Sequence, residues 1–216
     1  MNEHLLMMER AMAGRPRGVD DAVILRAAAE VMGRVGPAGL TLAAVAREVG
    51  LVPGTLIQRF GSKGGLLVAL AQQSAKAADA LPGCVREEHE TALDALAALI
   101  VRWLASMDTP EHFANHLAFL CMDLTDPQLY EPALAAHQAQ RRAIETLLTE
   151  AIAAGQLRTG TDVAALAGSV QAITAGAGLV WALERRGTLA QRLRHELDAV
   201  LSPHLLPGHD DDLEES

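Results

Sequence analysis

Aromatic residues are nearly missing from this 216-residue chain, which has three Phe, two Trp and one Tyr, 3% of the total. With Ala and Leu dominant instead, the composition suits closely approaching helices around an aliphatic core. Cysteine is as scarce. Cys84 and Cys121 stand far apart with no pairing pattern, so neither a disulfide scaffold nor a zinc cluster is implied, and a reducing cytoplasm fits. No signal-peptide pattern opens the chain, because Met1 to Met12 mixes Glu3, His4, Glu9 and Arg10 into its apolar residues. No glycine-rich phosphate loop follows a strand, and there is no serine elbow or nucleophile–base pair, so the sequence gives no support for an enzyme and implies no cofactor. Positive charge is short overall: the formal net charge is −9, which argues against a nonspecific nucleic-acid binder.

Uncharged runs are rare, with one exception. Val163 to Leu183 carries no charge and is long enough to span a bilayer. Ser169, Gln171, Thr174 and three glycines dilute it, and no second span or basic flank accompanies it, so a helix buried on two sides is expected rather than a membrane segment.

The charge that is present is segregated. Residues 1–65 hold eight Lys and Arg against six Asp and Glu, whereas residues 66–216 hold ten against 21. The first portion is therefore slightly basic and the remainder strongly acidic.

That basic portion also holds the most informative pattern. Val23-Ile24, Ala27-Ala28, Val31 and Val35 recur at three- and four-residue intervals, which predicts a helix with one buried face, ending near Gly36-Pro37. Thr41 is placed to cap a second short helix carrying Leu42, Val45, Ala46 and Val49, which Gly50 ends. Pro53 opens a third, in which Leu56 and Phe60 point inward while Thr55, Gln58 and Arg59 point outward. Two short helices joined by a glycine-containing turn behind a supporting helix can place the second in a DNA major groove, although the same pattern also serves plain packing in small helical domains.

The local residues Ile24-Leu25, Ala28-Ala29-Glu30, Gly39-Leu40-Thr41, Val45-Ala46, Val49-Gly50-Leu51, Gly54-Thr55-Leu56, Phe60-Gly61-Ser62-Lys63 and Leu66 resemble the tetracycline-repressor (TetR) family of transcriptional regulators over the first third of the chain. Three positions depart from that pattern. Val52 stands where the family usually has a hydroxyl residue, Ile57 where it has a tyrosine touching a phosphate, and Gly64 where a glutamate is frequent. The Gly64-Gly65 start of the next helix costs roughly 1 kcal/mol per glycine relative to alanine, which Ser62 as a cap partly offsets.

Candidate DNA contacts follow. Gln58 pairs well with adenine and Arg59 with guanine, and which of them reads bases stays open. Thr41, Thr55 and Lys63 are assigned to the phosphate backbone, with Arg47, Pro53 and Gly54 on the same surface. Arg15-Pro16-Arg17 is either a minor-groove arm or a solvated tail.

Beyond Ser62 the periodicity is helical throughout, with six helices and no sheet expected, broken near Pro82-Gly83, Asp108-Thr109-Pro110, Asp126-Pro127, Gly155 to Gly160 and Arg186-Gly187. Trp103, Met107, Phe113, His116, Phe119, Met122, His137 and Trp181 are candidates either to line a cavity for a small organic effector or simply to fill the core. His112 and His116 lie four apart, a weak metal-ligand signal to which no carboxylate or cysteine adds, so no metal site is assigned. Ala165, Gly168, Ala172, Ala175, Gly176 and Leu179 form a small-sided surface suited to another subunit. With Leu193 and Leu197 of a following helix they make a candidate four-helix dimer interface, the arrangement the family resemblance also implies.

The expectation is an all-α protein. Residues 1–18 form a flexible basic arm, 19–65 a helix-turn-helix domain, 66–206 a helical ligand-binding and dimerisation domain, and 207–216 a solvated acidic tail. By resemblance it is a cytoplasmic homodimeric repressor that binds a pseudo-palindromic operator on double-stranded DNA and is released by a small-molecule effector. The alternative is an all-helical small-molecule binding protein or enzyme whose first three helices merely pack.

Overall fold

A computed structural model describes residues 19–206. The arm with Arg15 and Arg17, and the acidic tail 207–216, lie outside the described residues. The first helix, α1 (Asp21–Gly39), buries Ile24, Leu25, Ala27, Ala28, Val31 and Met32 along one stripe. Gly36 interrupts it with φ +71°, a value glycine adopts without penalty, and Pro37 follows, so the chain kinks where the sequence places the helix end.

Each later helix starts on a side chain that takes up a free backbone N–H or on a proline that lacks one. Thr41 accepts from the Ala44 N–H to open α2 (Leu42–Glu48), and Pro53 sits in the first turn of α3 (Pro53–Phe60). Ser62 accepts from the Gly65 N–H at the start of α4 (Lys63–Glu87), and Thr91 from Asp94 at α5 (Ala92–Trp103). Thr109 caps α6 (Pro110–Asp123), Asp126 caps α7 (Pro127–Ala153) and Asp162 caps α8 (Val163–Glu184). Thr188 and Gln191 close a reciprocal capping box on α9 (Leu189–Leu201). Among the described residues there is no strand, only one isolated bridge between Leu157 and Leu205, so the fold is all-α.

Among the described residues six α-helices follow Ser62 as expected, but one break lies elsewhere. Pro82-Gly83 does not end a helix; α4 runs through it to Glu87. The interruption falls before Thr91, whose hydroxyl starts α5. A proline removes one helical hydrogen bond but need not stop a helix held by packing on both sides. Leu66, Leu67, Leu70, Ala71, Ala78 and Val85 provide that packing along α4.

The buried side chains form two clusters. The first joins α1, α2, α3 and the opening turns of α4 through Ile24, Val31, Leu40, Val45, Leu56, Leu66 and Leu70, and it also takes in Phe119 of α6 and Leu129 of α7. The second fills the space between α5, α6, α7, α8 and α9, with Leu96, Leu99, Ile144, Leu148, Val170 and Leu197 at its centre. Helix α8 has the length and apolar composition to cross a membrane, yet Leu166, Ala167, Val170, Ala177 and Trp181 are buried in that second core. The Trp181 Nε1–H donates to the Gly187 carbonyl at 3.1 Å.

Among the described residues Asp123, the last of α6, is the exception to an apolar interior. It is 8% exposed, its Oδ1 has no hydrogen-bond partner, and burial raises its carboxyl pKa from 3.8 to about 6. A carboxyl that holds its proton more tightly folded than unfolded makes the folded state bind more protons between those two values. Stability therefore falls as pH rises from about 4 to about 6 and stays reduced above that. Asp123→Asn should remove that slope and raise stability at pH 7 by on the order of 2 kcal/mol. Denaturant midpoints measured across pH 4–7 read this directly, and equal slopes in both proteins would refute it.

Candidate nucleic-acid interface

The outward side of α3 follows from what its inward side must do. Leu56 is fully buried and Phe60 half-buried against the first core, which fixes the rotation of this two-turn helix. Pro53, Gly54, Ile57, Gln58 and Arg59 are left exposed, with Thr55 half-buried. The Leu51 N–H donates to the Ala46 carbonyl at 2.8 Å, and Gly50, with φ +68°, allows the tight turn between α2 and α3. No other part of the described chain covers this surface, and Gly54 opens onto empty space with no heavy atom near the position a Cβ would take.

The cations assigned to DNA are less free than their residue types suggest. The Arg59 Nη1–H donates to the Val19 carbonyl and to the Asp21 carboxylate at 2.9 Å, fastening α3 to the start of α1. The Lys63 ammonium donates to the Ala38 carbonyl at 3.0 Å, taking up one of the unpaired carbonyls at the end of α1. Each retains further donors, since a guanidinium has five and an ammonium three. Arg34 pairs with Glu48 at 2.7 Å, with both groups exposed, a contact worth at most about 1 kcal/mol. Arg47 is exposed on α2, and Thr41 has its oxygen occupied as the α2 cap while its hydroxyl hydrogen remains available.

The second domain sits on this module through α6. Asn115 Nδ2 donates to the Gly33 carbonyl at 2.7 Å. In an unbroken helix that carbonyl would accept from the residue four positions on, which here is Pro37 and has no N–H. Asn115 supplies the missing donor from the other domain. Its side chain lies over the kink, where a Cβ on Gly36 would meet Asn115 Oδ1 at 2.8 Å. The Gly33–Pro37 spacing was readable in the sequence as an orphaned carbonyl, but nothing there said which residue would answer it.

The candidate pocket residues divide. Trp103, Met107, Phe113 and Trp181 converge in the second core, with the Phe113 ring packed directly on Gly178 of α8. Phe119 and Met122 face the other way, into the first core. His116 is solvent-exposed by area, although desolvation moves its imidazole pKa below the usual value. His137 is also exposed, and its carbonyl accepts from Gln171 Nε2 at 3.1 Å. The eight residues therefore do not surround one space: α6 turns Phe113 and Phe119 toward opposite cores. A surface groove of about 650 Å³ runs between α4 and α7 past Gln72, Lys76, Gln128 and Glu131, and it is lined by none of the eight. His112 is paired with Asp108 at 2.7 Å, and among the described residues no group of three or more metal-ligating side chains converges.

The candidate dimer residues divide as well. Ala165, Ala172, Ala175, Gly176 and Leu179 are exposed and Gly168 half-buried along one side of α8, continued by Leu183, which is 76% exposed. Leu193 and Leu197, expected at the same interface, are only 2% and 1% exposed and lie inside the subunit's own core. The apolar stripe of α9 is used within its own chain. What α9 leaves outside is Gln191, Arg194, His195, Asp198 and Ala199.

A helix-turn-helix module with an uncovered second helix, bonded to an all-helical second domain, defines a DNA-binding regulator in which one chain carries both parts. The family models agree on both parts. Residues 24–70 match the model described as "Bacterial regulatory proteins, tetR family" and residues 92–197 the "Tetracyclin repressor-like, C-terminal domain". The chain belongs to the TetR family of transcriptional regulators. Among solved structures it is similar to SmeT, the repressor of the Stenotrophomonas maltophilia multidrug efflux pump SmeDEF, at 21% identity over 88% of this chain and 93% of that one, TM-score 0.63. A Saccharomonospora viridis regulator in complex with choline is 18% identical over 87% and 98%, TM-score 0.69. The fatty acid degradation regulator FadR from Bacillus halodurans is 16% identical over 84% and 98%, TM-score 0.60. These likenesses concern the fold. No curated protein sequence matches the chain.

Proposed function

We propose that this regulator is a cytoplasmic homodimeric repressor that binds a pseudo-palindromic operator with two copies of α3 and acts by binding alone, without catalysis. The observation carrying this reading is the uncovered outer side of α3, held at a fixed rotation by Leu56 and fastened to α1 through Arg59. In this reading Gln58 contacts bases, Thr41, Thr55, Arg47 and Lys63 set the register on phosphates, and Arg59 orients α3 and the root of the basic arm while its remaining donors meet the backbone. Residues 19–65 form the reading module, and residues 66–206 hold the partner subunit and the effector.

Release follows if an effector binds the second domain more tightly in one of two arrangements. The α6–α1 bond between Asn115 and Gly33 gives such a shift a route to the reading module, in addition to a tilt of α4 from Ser62. The effector is a small organic molecule. Phe113, Trp103, Met107 and Trp181, packed in the second core, are the wall that must part to admit it.

The test is binding of the full-length protein to duplexes selected from a random pool. A regulator making several phosphate contacts should lose orders of magnitude in affinity between roughly 50 and 200 mM salt. A salt-insensitive protein that selects no duplex would fit the packing alternative instead. Asn115→Ala separates the coupling from the reading. It leaves the Gly33 carbonyl unpaired at a cost of about 1–2 kcal/mol and should blunt effector release several-fold while operator affinity without effector changes far less. Equal effector response in both proteins would remove Asn115 from the route.

A further inference from the structure

The surface that α3 presents is more apolar than a reading surface needs to be. Val52 is 68% exposed and Ile57 53% exposed, and Pro53, one turn before Ile57 and on the same side, is exposed between them in sequence. Of the polar residues of α3, Thr55 is half-buried and Arg59 is bonded back to Val19 and Asp21, which leaves Gln58 as the exposed polar side chain not bonded back to α1. Leu56 takes the inward side, so no small rotation of the helix would hide Ile57, and Val52 is exposed in the extended N-cap position just before α3. Both side chains stand where the chain departs from the hydroxyl and the tyrosine usual in the family.

An α-helix in the major groove meets donors, acceptors and one apolar group, the C5-methyl of thymine. We infer that Val52 and Ile57 are specificity-determining residues that read thymine methyl groups, so that each operator half-site carries thymines beneath the N-terminal turn and the middle of α3. Gln58, beside Ile57, fits the same A·T-containing step, since its amide matches adenine N6 and N7. The occupant of this apolar patch is therefore duplex DNA rather than a second protein. Residues 1–65, which include it, hold eight basic against six acidic residues, while the rest of the chain is strongly acidic, and Arg47, Arg59 and Lys63 belong to the same module. The inference rests on the reading of α3 as the groove-entering helix.

The experiment uses the full-length protein and an operator obtained by selection from random duplexes. Each thymine is replaced singly by deoxyuridine, which removes the methyl and leaves the pairing and the O4 acceptor in place. Affinity is measured at one fixed salt concentration. Substitution at one or more positions in each half-site should weaken binding about four- to tenfold, the scale of one apolar methyl contact. Ile57→Ala and Val52→Ala, both at exposed positions and each checked by circular dichroism for an unchanged fold, should each abolish the thymine-over-uracil preference at one of those positions while keeping it at the others. Indifference to every methyl, or variants that lower affinity while discriminating thymine from uracil as the parent does, would overturn the inference and leave the regulator reading standing. Selection of no duplex at all would overturn both.

Discussion

Gly65→Ala is expected to abolish operator binding, by 100-fold or more, while its neighbour Gly64→Ala binds as the parent does. The difference is geometric. A Cβ on Gly65 would overlap the Phe60 carbonyl, a backbone group at the end of α3 that cannot rotate away. The Gly65 N–H is at the same time held by Ser62 Oγ at 3.2 Å, so α4 cannot slide aside without losing its cap. The chain must then reopen the corner at Gly61 and Ser62 and turn α3 out of register, a backbone conflict on the order of 3 kcal/mol or more, or over 100-fold in an equilibrium. At Gly64 the added methyl meets only Ser62 Oγ at 3.6 Å, an ordinary contact, and alanine should stabilise the first turn of α4 by up to about 1 kcal/mol. Anisotropy titrations on a selected operator, with thermal unfolding of each variant, check both halves. Full operator binding by Gly65→Ala would mean that the corner is not what aims α3.

That pair of glycines shows what the sequence could and could not convey. Periodicity, the caps Thr41 and Ser62 and the proline and glycine breaks located most of the helices, because each acts within a few residues of the groups it affects, whereas the break at Pro82-Gly83 falls too early for the start of α5 at Thr91. The sequence reading counts Gly64 and Gly65 as equal costs to helix formation, since propensity is a property of a single residue. Gly65 is needed because of an approach by Phe60, and that is visible only once α3 and α4 are packed. The same limit explains the three divided sets of site residues. Arg59 and Lys63 were legible as cations on the reading module but not as groups already bonded to Val19, Asp21 and Ala38. Phe113 and Phe119 were legible as apolar, but six residues along a helix turns them to different cores. Leu193 and Leu197 make an apolar stripe whichever chain covers it, and a stripe does not carry the identity of its cover.

Leu183→Glu, best combined with Leu179→Glu, should yield a folded monomer that has lost 10²- to 10⁴-fold in operator affinity. Leu183 is 76% and Leu179 47% exposed, one turn apart on the side of α8 that also carries Ala172, Ala175 and Gly176. Small side chains along that line allow a second helix to approach closely, and the two leucines at its end are large apolar groups left in water in a single subunit. Neither lies in the subunit's own core, so charge there costs little in folding, whereas in a two-fold interface each glutamate meets its own symmetry mate. Operator affinity follows because two copies of α3 must enter grooves about 34–36 Å apart, and tethering them makes the second contact intramolecular, which accounts for the expected loss. Leu193→Glu provides the contrast. That residue is buried within one chain, so the change should unfold the second domain rather than dissociate a dimer. Sedimentation and unfolding measurements distinguish the two outcomes. A Leu179→Glu, Leu183→Glu protein that stayed dimeric with full operator affinity would place the subunit contact on some surface other than α8.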